Sequence, residues 1–267
     1  MRLSRRACRA ISLLNVAGTI VLRQGHNMDS ADAAAEETTR HAELVAAEEK
    51  ALALLDAIEA AGLIRPGRSE REIEQDIHTL AAERFGIERH WHKRIVRAGL
   101  NTLAVAGDNP PIRIVEDDDI VFLDLGPVFD HWEADVGRSY AVGNDPRKQA
   151  LCRDLPILFD AVKARFDRDP DITGAQVYAF ACDAAAETGW TFGGKIAGHI
   201  VAEFPHARVP GRKQDHHISP DNPDPMRNRD GNGRVRHWIL EIHLVSPDGK
   251  FGGFYERLLD GPRPVAL

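Results

Sequence analysis

Along this chain the spacing of apolar positions switches between helical and alternating, and the switches outline its elements. Leu44, Leu52, Leu54, Leu55 and Ile58 make a broad stripe at helical spacing, which predicts one long helix over 36–63 with Gly62 as its C-terminal cap. Arg65-Pro-Gly67 turns the chain. Ser69 and Glu72 have the spacing of a capping box, and Ile73, Ile77, Leu80 and Ala81 mark the buried face of a second helix that Gly86 ends. The pattern then shortens to strands around 95–96, 120–125 and 134–142. Pro146 opens a third helix, in which Pro156 predicts a kink or break, and 173–188 reads as a fourth, Ala-rich helix. Strands return at 192–204, 237–245 and 253–259. Helix pairs alternating with antiparallel hairpins, twice over, suggest an α+β fold around one sheet, with no sequence repeat visible between the halves.

Several of these strands carry a residue that does not belong in an apolar run. Asp124 lies in Ile120-Val-Phe-Leu-Asp-Leu-Gly-Pro127, Asp135 in Glu133-Ala-Asp-Val-Gly137, Glu241 in Trp238-Ile-Leu-Glu-Ile-His243 and Glu256 in Gly253-Phe-Tyr-Glu-Arg-Leu258. A carboxylate on a buried strand is costly unless its charge is compensated. Four such carboxylates with one imidazole, His199 of Gly198-His-Ile200, balance the charge of two divalent cations. Asp124 and Asp135 are 11 apart and Glu241 and Glu256 are 15 apart. Odd separations let both pairs face each other across antiparallel neighbours. Each residue also has a plainer reading. The aspartates could pair with Arg113 or Arg138, His199 could be structural, and Glu256 could pair with Arg257.

The order Asp124, Asp135, His199, Glu241, Glu256 resembles the metal-ligand order of the pita-bread (M24) metallopeptidases, which include methionine aminopeptidase, aminopeptidase P, prolidase and creatinase. Gly198-His199, Tyr255-Glu256-Arg257 and a second histidine, His206, seven residues after His199, strengthen the likeness, which spans roughly 36–259. The resemblance implies the pita-bread fold, a pseudo-symmetric antiparallel sheet with helices packed on its outer face. It also implies a dinuclear metal site in which Asp135 and Glu256 bridge, Asp124 completes one ion, and His199 with Glu241 completes the other. Glu241 would accept a proton from the attacking water, and His206 would hydrogen-bond the carbonyl oxygen as charge develops. An oxygen-dominated set leans toward Mn²⁺, with Co²⁺, Fe²⁺ or Zn²⁺ as alternatives.

Two departures from the family pattern stand out. Ile200 replaces the glycine that usually follows the ligand histidine, which predicts a more hindered backbone there. The stretch Leu103-Ala-Val-Ala-Gly-Asp-Asn109 lacks the upstream histidine of many peptidase members. His90 and His92 lie further upstream and could act on substrate only if the intervening loop folds back; His243, on the strand of Glu241, is a third candidate for substrate contact or for orienting that glutamate.

These features imply a metal-dependent, aminopeptidase-like hydrolase of a peptide or small amide, closer to aminopeptidase P or a dipeptidase than to methionine removal. The alternatives are a creatinase-like non-peptidase hydrolase and an inactive metal- or ligand-binding member. Composition agrees with a folded enzyme: 267 residues, 43% of them hydrophobic, leave room for a substantial core. A net charge of −7 disfavours nucleic acid, no run is long enough to cross a membrane, and three scattered cysteines favour a reducing, cytoplasmic setting. A homodimer is an admissible assembly. Residues 1–27, basic and then modestly apolar, read as an extension before a catalytic domain at 28–267. They are a mis-called start or disordered tail, with a targeting segment or docked helix as alternatives. The Pro- and Gly-rich stretch 207–236 is expected to be a long loop, either a rim or lid over the site or an exposed insertion.

Overall fold

Alanine-rich first turns let helix α1 (Ser30–Ala60) begin ahead of its apolar stripe, since alanine is helical without a buried face to hold it. The chain is described by a computed structural model over residues 30–261; the expected extension at 1–27 lies outside the described residues. Gly62 then takes the left-handed conformation, as its capping position required. Helix α2 (Glu70–Phe85) has the full capping box: Ser69 Oγ accepts from the Glu72 amide and Glu72 accepts from the Ser69 amide. Such a cap contributes about 1 kcal/mol.

The extended segments are β1 (Ile95–Ala98), β2 (Asp119–Leu125), β3 (Val128–Phe129), β4 (Trp132–Glu133), β5 (Val136–Val142), β6 (Thr191–Phe192), β7 (Gly198–Val201), β8 (His237–Val245) and β9 (Gly252–Leu258). The main sheet has the antiparallel order β1-β2-β5-β9-β8-β6, with β7 also paired to β8. β3 and β4 form a separate small hairpin between β2 and β5. The expected strand at 192–204 is thus two short strands, divided where the chain runs through Gly193 and Gly194.

Alternation decides which face the helices cover. Val121, Leu123 and Leu125 of β2 and Val136 of β5 pack against Leu54, Ile58, Ile73 and Ile77 of α1 and α2. Leu240, Ile242 and Leu244 of β8 pack against Leu155, Phe159, Val177 and Ala181 of α3 (Pro146–Arg168) and α4 (Gly174–Glu187). Each half of the sheet therefore has its own helix pair on the back, which leaves the front free for polar residues. Buried Glu48 of α1 binds Arg257 (2.9 Å to Nη2) and the Leu258 amide (2.7 Å), anchoring the central strand β9 to that layer.

Two expectations are corrected here. Pro156 neither breaks nor ends α3, which runs through it. A proline inside a helix costs about 3 kcal/mol, but Leu151, Leu155, Leu158, Phe159, Val162 and Phe166 are buried on both sides of it, at about 1.5–3 kcal/mol each. The 207–236 stretch is not an exposed insertion either. Ile218, Asn222 and Met226 are buried, the Met226 amide donates to Ile172 O (2.9 Å), and the Trp238 indole donates to Met226 O (2.9 Å). Its first part, around short 3₁₀ turns at His206–Arg208 and Lys213–His216, is the more exposed.

Candidate metal centre

A single row of register partners crosses the middle of the sheet. Asp124 of β2 opposes Gly137 of β5, Gly137 opposes Glu256 of β9, and Glu256 opposes Glu241 of β8. Direct partners share a face, so all three carboxylates point to the front. Gly137 is the gap in the row. A Cβ there would stand 2.5 Å from a ring carbon of Phe254 and 3.0 Å from Glu256 Cβ, so the missing side chain makes room for its neighbours. Asp135 immediately precedes β5 and lies diagonal to Asp124 rather than opposite it. The parity expected for this pair holds, but the register is offset by two residues. His199 opposes Ile239, two positions from Glu241 and on the same face.

The five expected ligands therefore converge, and His92 joins them. Its Nε2 lies 3.1 Å from Asp135 Oδ1 and 3.3 Å from Asp124 Oδ1. His199 Nε2 lies 3.0 Å from Asp135 Oδ2 and 3.8 Å from Glu241 Oε1. At this centre two sets of potential ligand atoms each fall within 4.8 Å: His92, Asp124 and Asp135, and Asp135, His199 and Glu256. They share Asp135.

Burial and mutual repulsion disturb these groups strongly. Burial raises Asp124 and Glu241 to about 7, despite His92 beside the first and His199 beside the second. Glu256 is pushed well above the usual range by burial and then by Asp135 and Asp124. Burial disfavours the cationic forms of His92 and His199, but Asp124 and Asp135 at the first, and Asp135 with Glu241 at the second, outweigh it and hold these imidazoles at about 10 and about 9. Burial acts against Asp135 too, yet the two imidazoles lower it to about 2. Without a cation the centre needs protons and imidazolium to hold its charge.

The donor set fits divalent metal. Glu256 Oε2 is buried with no hydrogen-bond partner, and a buried acceptor left unmatched is expensive. Ionised carboxylates are acceptors only, so a cation is the natural complement that lets a cluster in which they outnumber their donors stay ionised.

The plainer pairings do not occur. Arg113 binds Glu116, Arg138 binds Asp56, and Arg257 turns to Glu48 on the helical side. Ile200 is buried in the core behind the sheet, so the hindrance expected beside His199 is directed away from the front. His206 donates from its amide (2.9 Å) and Nδ1 (2.7 Å) to the two oxygens of Glu133, which is 1% exposed. Its ring stacks on that of His199 at 5.4 Å between centroids. His243 lines the cavity in front of the cluster but gives Nε2 to Thr102 O (2.8 Å), so one nitrogen is engaged by backbone. His90 does not reach that cavity. Both its ring nitrogens are buried without partners, and burial lowers it to about 4.

The cavity has a volume of about 580 Å³, with Ala104, Val105 and Ala106 forming part of its wall where the family's upstream histidine was sought. Glu70, at the start of α2, holds that wall by accepting from the Ala98 amide, Asn101 Nδ2 and the Arg113 amide. Lys213 also lines it, so the 207–236 stretch contributes to the rim.

Three residues here were not among the candidates read from sequence. Glu133 has the same signal as Asp135, a carboxylate between apolar residues, two positions earlier. Trp91 presents its indole edge-on to His92, His199 and His206, at 4.4, 5.2 and 4.8 Å. Only its place between two histidines hinted at this. Gly137 gave no signal at all without the register.

Fold and centre together define a class: an α+β pita-bread domain with a carboxylate-rich candidate cation site on the open face of its sheet. The chain belongs to metallopeptidase family M24, whose model matches residues 42–230. Over 144 residues it is 28% identical to an Xaa-Pro dipeptidase of Pyrococcus horikoshii, which covers 53% of this chain and 40% of that protein. Its fold matches a prolidase from Thermococcus sibiricus with a TM-score of 0.61 and 20% identity, over 86% of this chain and 60% of that one. A methionine aminopeptidase from Thermotoga maritima matches with a TM-score of 0.60 and 17% identity, over 85% of this chain and 97% of that one. The chain thus spans less than two thirds of the length of the dipeptidase and of the prolidase. Among the described residues no helix is long and apolar enough to cross a membrane.

Proposed function

We propose that this protein is a metal-dependent hydrolase of peptides or small amides, with activity of the aminopeptidase P or dipeptidase kind. The observation that carries the reading is the row of Asp124, Glu256 and Glu241 across adjacent strands, closed by Asp135 and His199 and fronted by a cavity. Asp124, Asp135, His199, Glu241 and Glu256 would hold two divalent ions, with Mn²⁺ foremost because oxygen donors predominate. Such a pair, when bound, lowers the pKa of water and polarises a carbonyl. The chain's own residues supply the rest. Glu241 sits at the edge of the cluster, where its carboxylate takes the proton of the attacking water. His206 gives its Nδ1–H to Glu133, so it donates to the carbonyl oxygen from Nε2, with both ring nitrogens carrying protons and Glu133 balancing the charge. The apolar wall at Ala104–Ala106 and the aromatic rings of Phe122 and Phe254 favour a compact, weakly polar side chain or ring in the cavity. The Xaa-Pro dipeptidase relative supports a preference for a bond beside proline.

A peptide library tests this. Purified protein loaded with Mn²⁺ or Co²⁺ should cleave Xaa-Pro dipeptides or peptides with proline second, and chelation should abolish the cleavage. Turnover confined to Met-initiated peptides or to amidine compounds, or no turnover of any peptide, would overturn the reading.

A further inference from the structure

We propose that His92 is a sixth protein ligand of the metal centre, bound through Nε2 to the ion held by Asp124 and Asp135, so that each ion carries one imidazole. The inference rests on the dinuclear reading above and adds a ligand outside the five-residue set that the resemblance implied.

The two histidines are placed alike around Asp135. His92 Nε2 faces one oxygen of that carboxylate at 3.1 Å and His199 Nε2 faces the other at 3.0 Å. Behind each ring the arrangement repeats. His92 Nδ1 lies 2.7 Å from Lys93 O, and His199 Nδ1 lies 2.7 Å from Ile200 O. A carbonyl only accepts, so Nδ1 must carry the proton in both rings. In the neutral imidazole this leaves the Nε2 lone pair directed at the carboxylates. An N–H donated to a backbone carbonyl behind the ring is the usual support of a metal-binding histidine, because it sets the tautomer and the ring orientation.

The surroundings are built to keep His92 in this place. A Cβ at Gly126 would overlap the His92 ring and the Trp91 indole, so the glycine two residues after Asp124 clears the space that the imidazole occupies. The Trp91 amide donates to Gly126 O (2.9 Å) and its indole donates to Ala134 O (3.2 Å). The segment carrying His92 is therefore tied to both ends of the β2–β5 connection, next to Asp124 and Asp135. His90, two residues earlier, has no such placement and is the internal contrast. A nitrogen donor at the Asp124 ion also shifts the preference of that position from Mn²⁺ toward Co²⁺, Fe²⁺ or Zn²⁺.

Co²⁺ alone serves as the probe, with readouts independent of turnover. In Co²⁺-loaded protein each bound histidine with a protonated Nδ1 gives one exchangeable, hyperfine-shifted N–H resonance in the proton spectrum. Two such resonances are expected for the wild type, and one each for His92→Gln and His199→Gln. Calorimetric titration of the metal-free His92→Gln variant should show one of two sites weakened by about 10–100-fold or more. Far-ultraviolet circular dichroism of the variant checks its fold, and the wild-type resonance count stands without any variant. Two bound ions with a single exchangeable resonance in the wild type would overturn the His92 assignment alone. Absence of stoichiometric Co²⁺ in the wild type would overturn it together with the dinuclear reading. Two ions and two resonances in a protein that cleaves no peptide would uphold His92 and overturn only the proposed activity.

Discussion

His206 is held by contacts that leave its ring little freedom. Buried Glu133 takes both its amide and Nδ1, His199 stacks on one face, and the Trp91 edge meets the ring at 4.8 Å. This is a positioned donor that touches no other carboxylate of the cluster by hydrogen bond. Replacing it with alanine should leave metal content and fold intact while the turnover number falls by about two to three orders of magnitude, the usual size for one lost oxyanion donor. The Michaelis constant should change far less, because the interaction strengthens mainly in the transition state. Steady-state kinetics of His206→Ala decides this, and full activity in the variant would remove His206 from the mechanism. At this scale the sequence was most legible where a charge contradicted its context. Asp124, Glu241 and Glu256 stand out in their apolar strands, but the neutral residues that make room for them do not. His90 and His92 could not be told apart without the backbone, since which of them faces the centre depends on how Trp91 is anchored.

Among the elements, the helices α2 and α4 were legible nearly to the residue because their caps are local chemistry, whereas α1 starts six residues ahead of the expected position 36. Ser69 with Glu72 and Thr173 with Gln176 close their boxes within one turn. Strand register was not, because it depends on partners far along the chain. The β3–β4 hairpin takes up residues between β2 and β5 and places Asp135 diagonal to Asp124, a shift that parity alone does not detect. The break expected at Pro156 is absent for a related reason, since the apolar stripe on both sides of it is satisfied by tertiary packing. The central strands now give a direct test. Gly137→Val should push against the Phe254 ring and Glu256, destabilising the protein by about 1–3 kcal/mol as overpacking does. The same change should lower metal affinity, because Glu256 must move. Urea denaturation and metal titration measure the two effects; a variant as stable and as tightly metal-bound as the wild type would mean that the gap in the row is incidental.

For the whole molecule, two helix-backed half-sheets leave one open face, and the mutually repelling carboxylates Asp124, Asp135, Glu241 and Glu256 are gathered there with His92 and His199. Metal-free protein should reveal the cost of that concentration through pH. His92 and His199 are held above their unfolded value of 6.5, at about 10 and about 9, so the stability they contribute is full below 6.5 and is lost as pH rises through those values. Asp124 and Glu241, raised from 3.8 and 4.5 to about 7, act with the same sign at lower pH, as it rises from about 4 to about 7. The melting temperature of metal-free protein should therefore fall as pH rises from about 4 to about 10, and saturating Mn²⁺ should reduce that fall; a flat profile without metal would contradict the cluster's electrostatics.

Metal content tests the central claim most directly, because Asp135 lies in both candidate ligand sets. After equilibration with Mn²⁺ and removal of free ion, elemental analysis should find two ions per wild-type chain and a loss of stoichiometric metal in Asp135→Ala, with hydrolysis abolished. Two tightly held ions in the variant, or none in the wild type, would contradict the account.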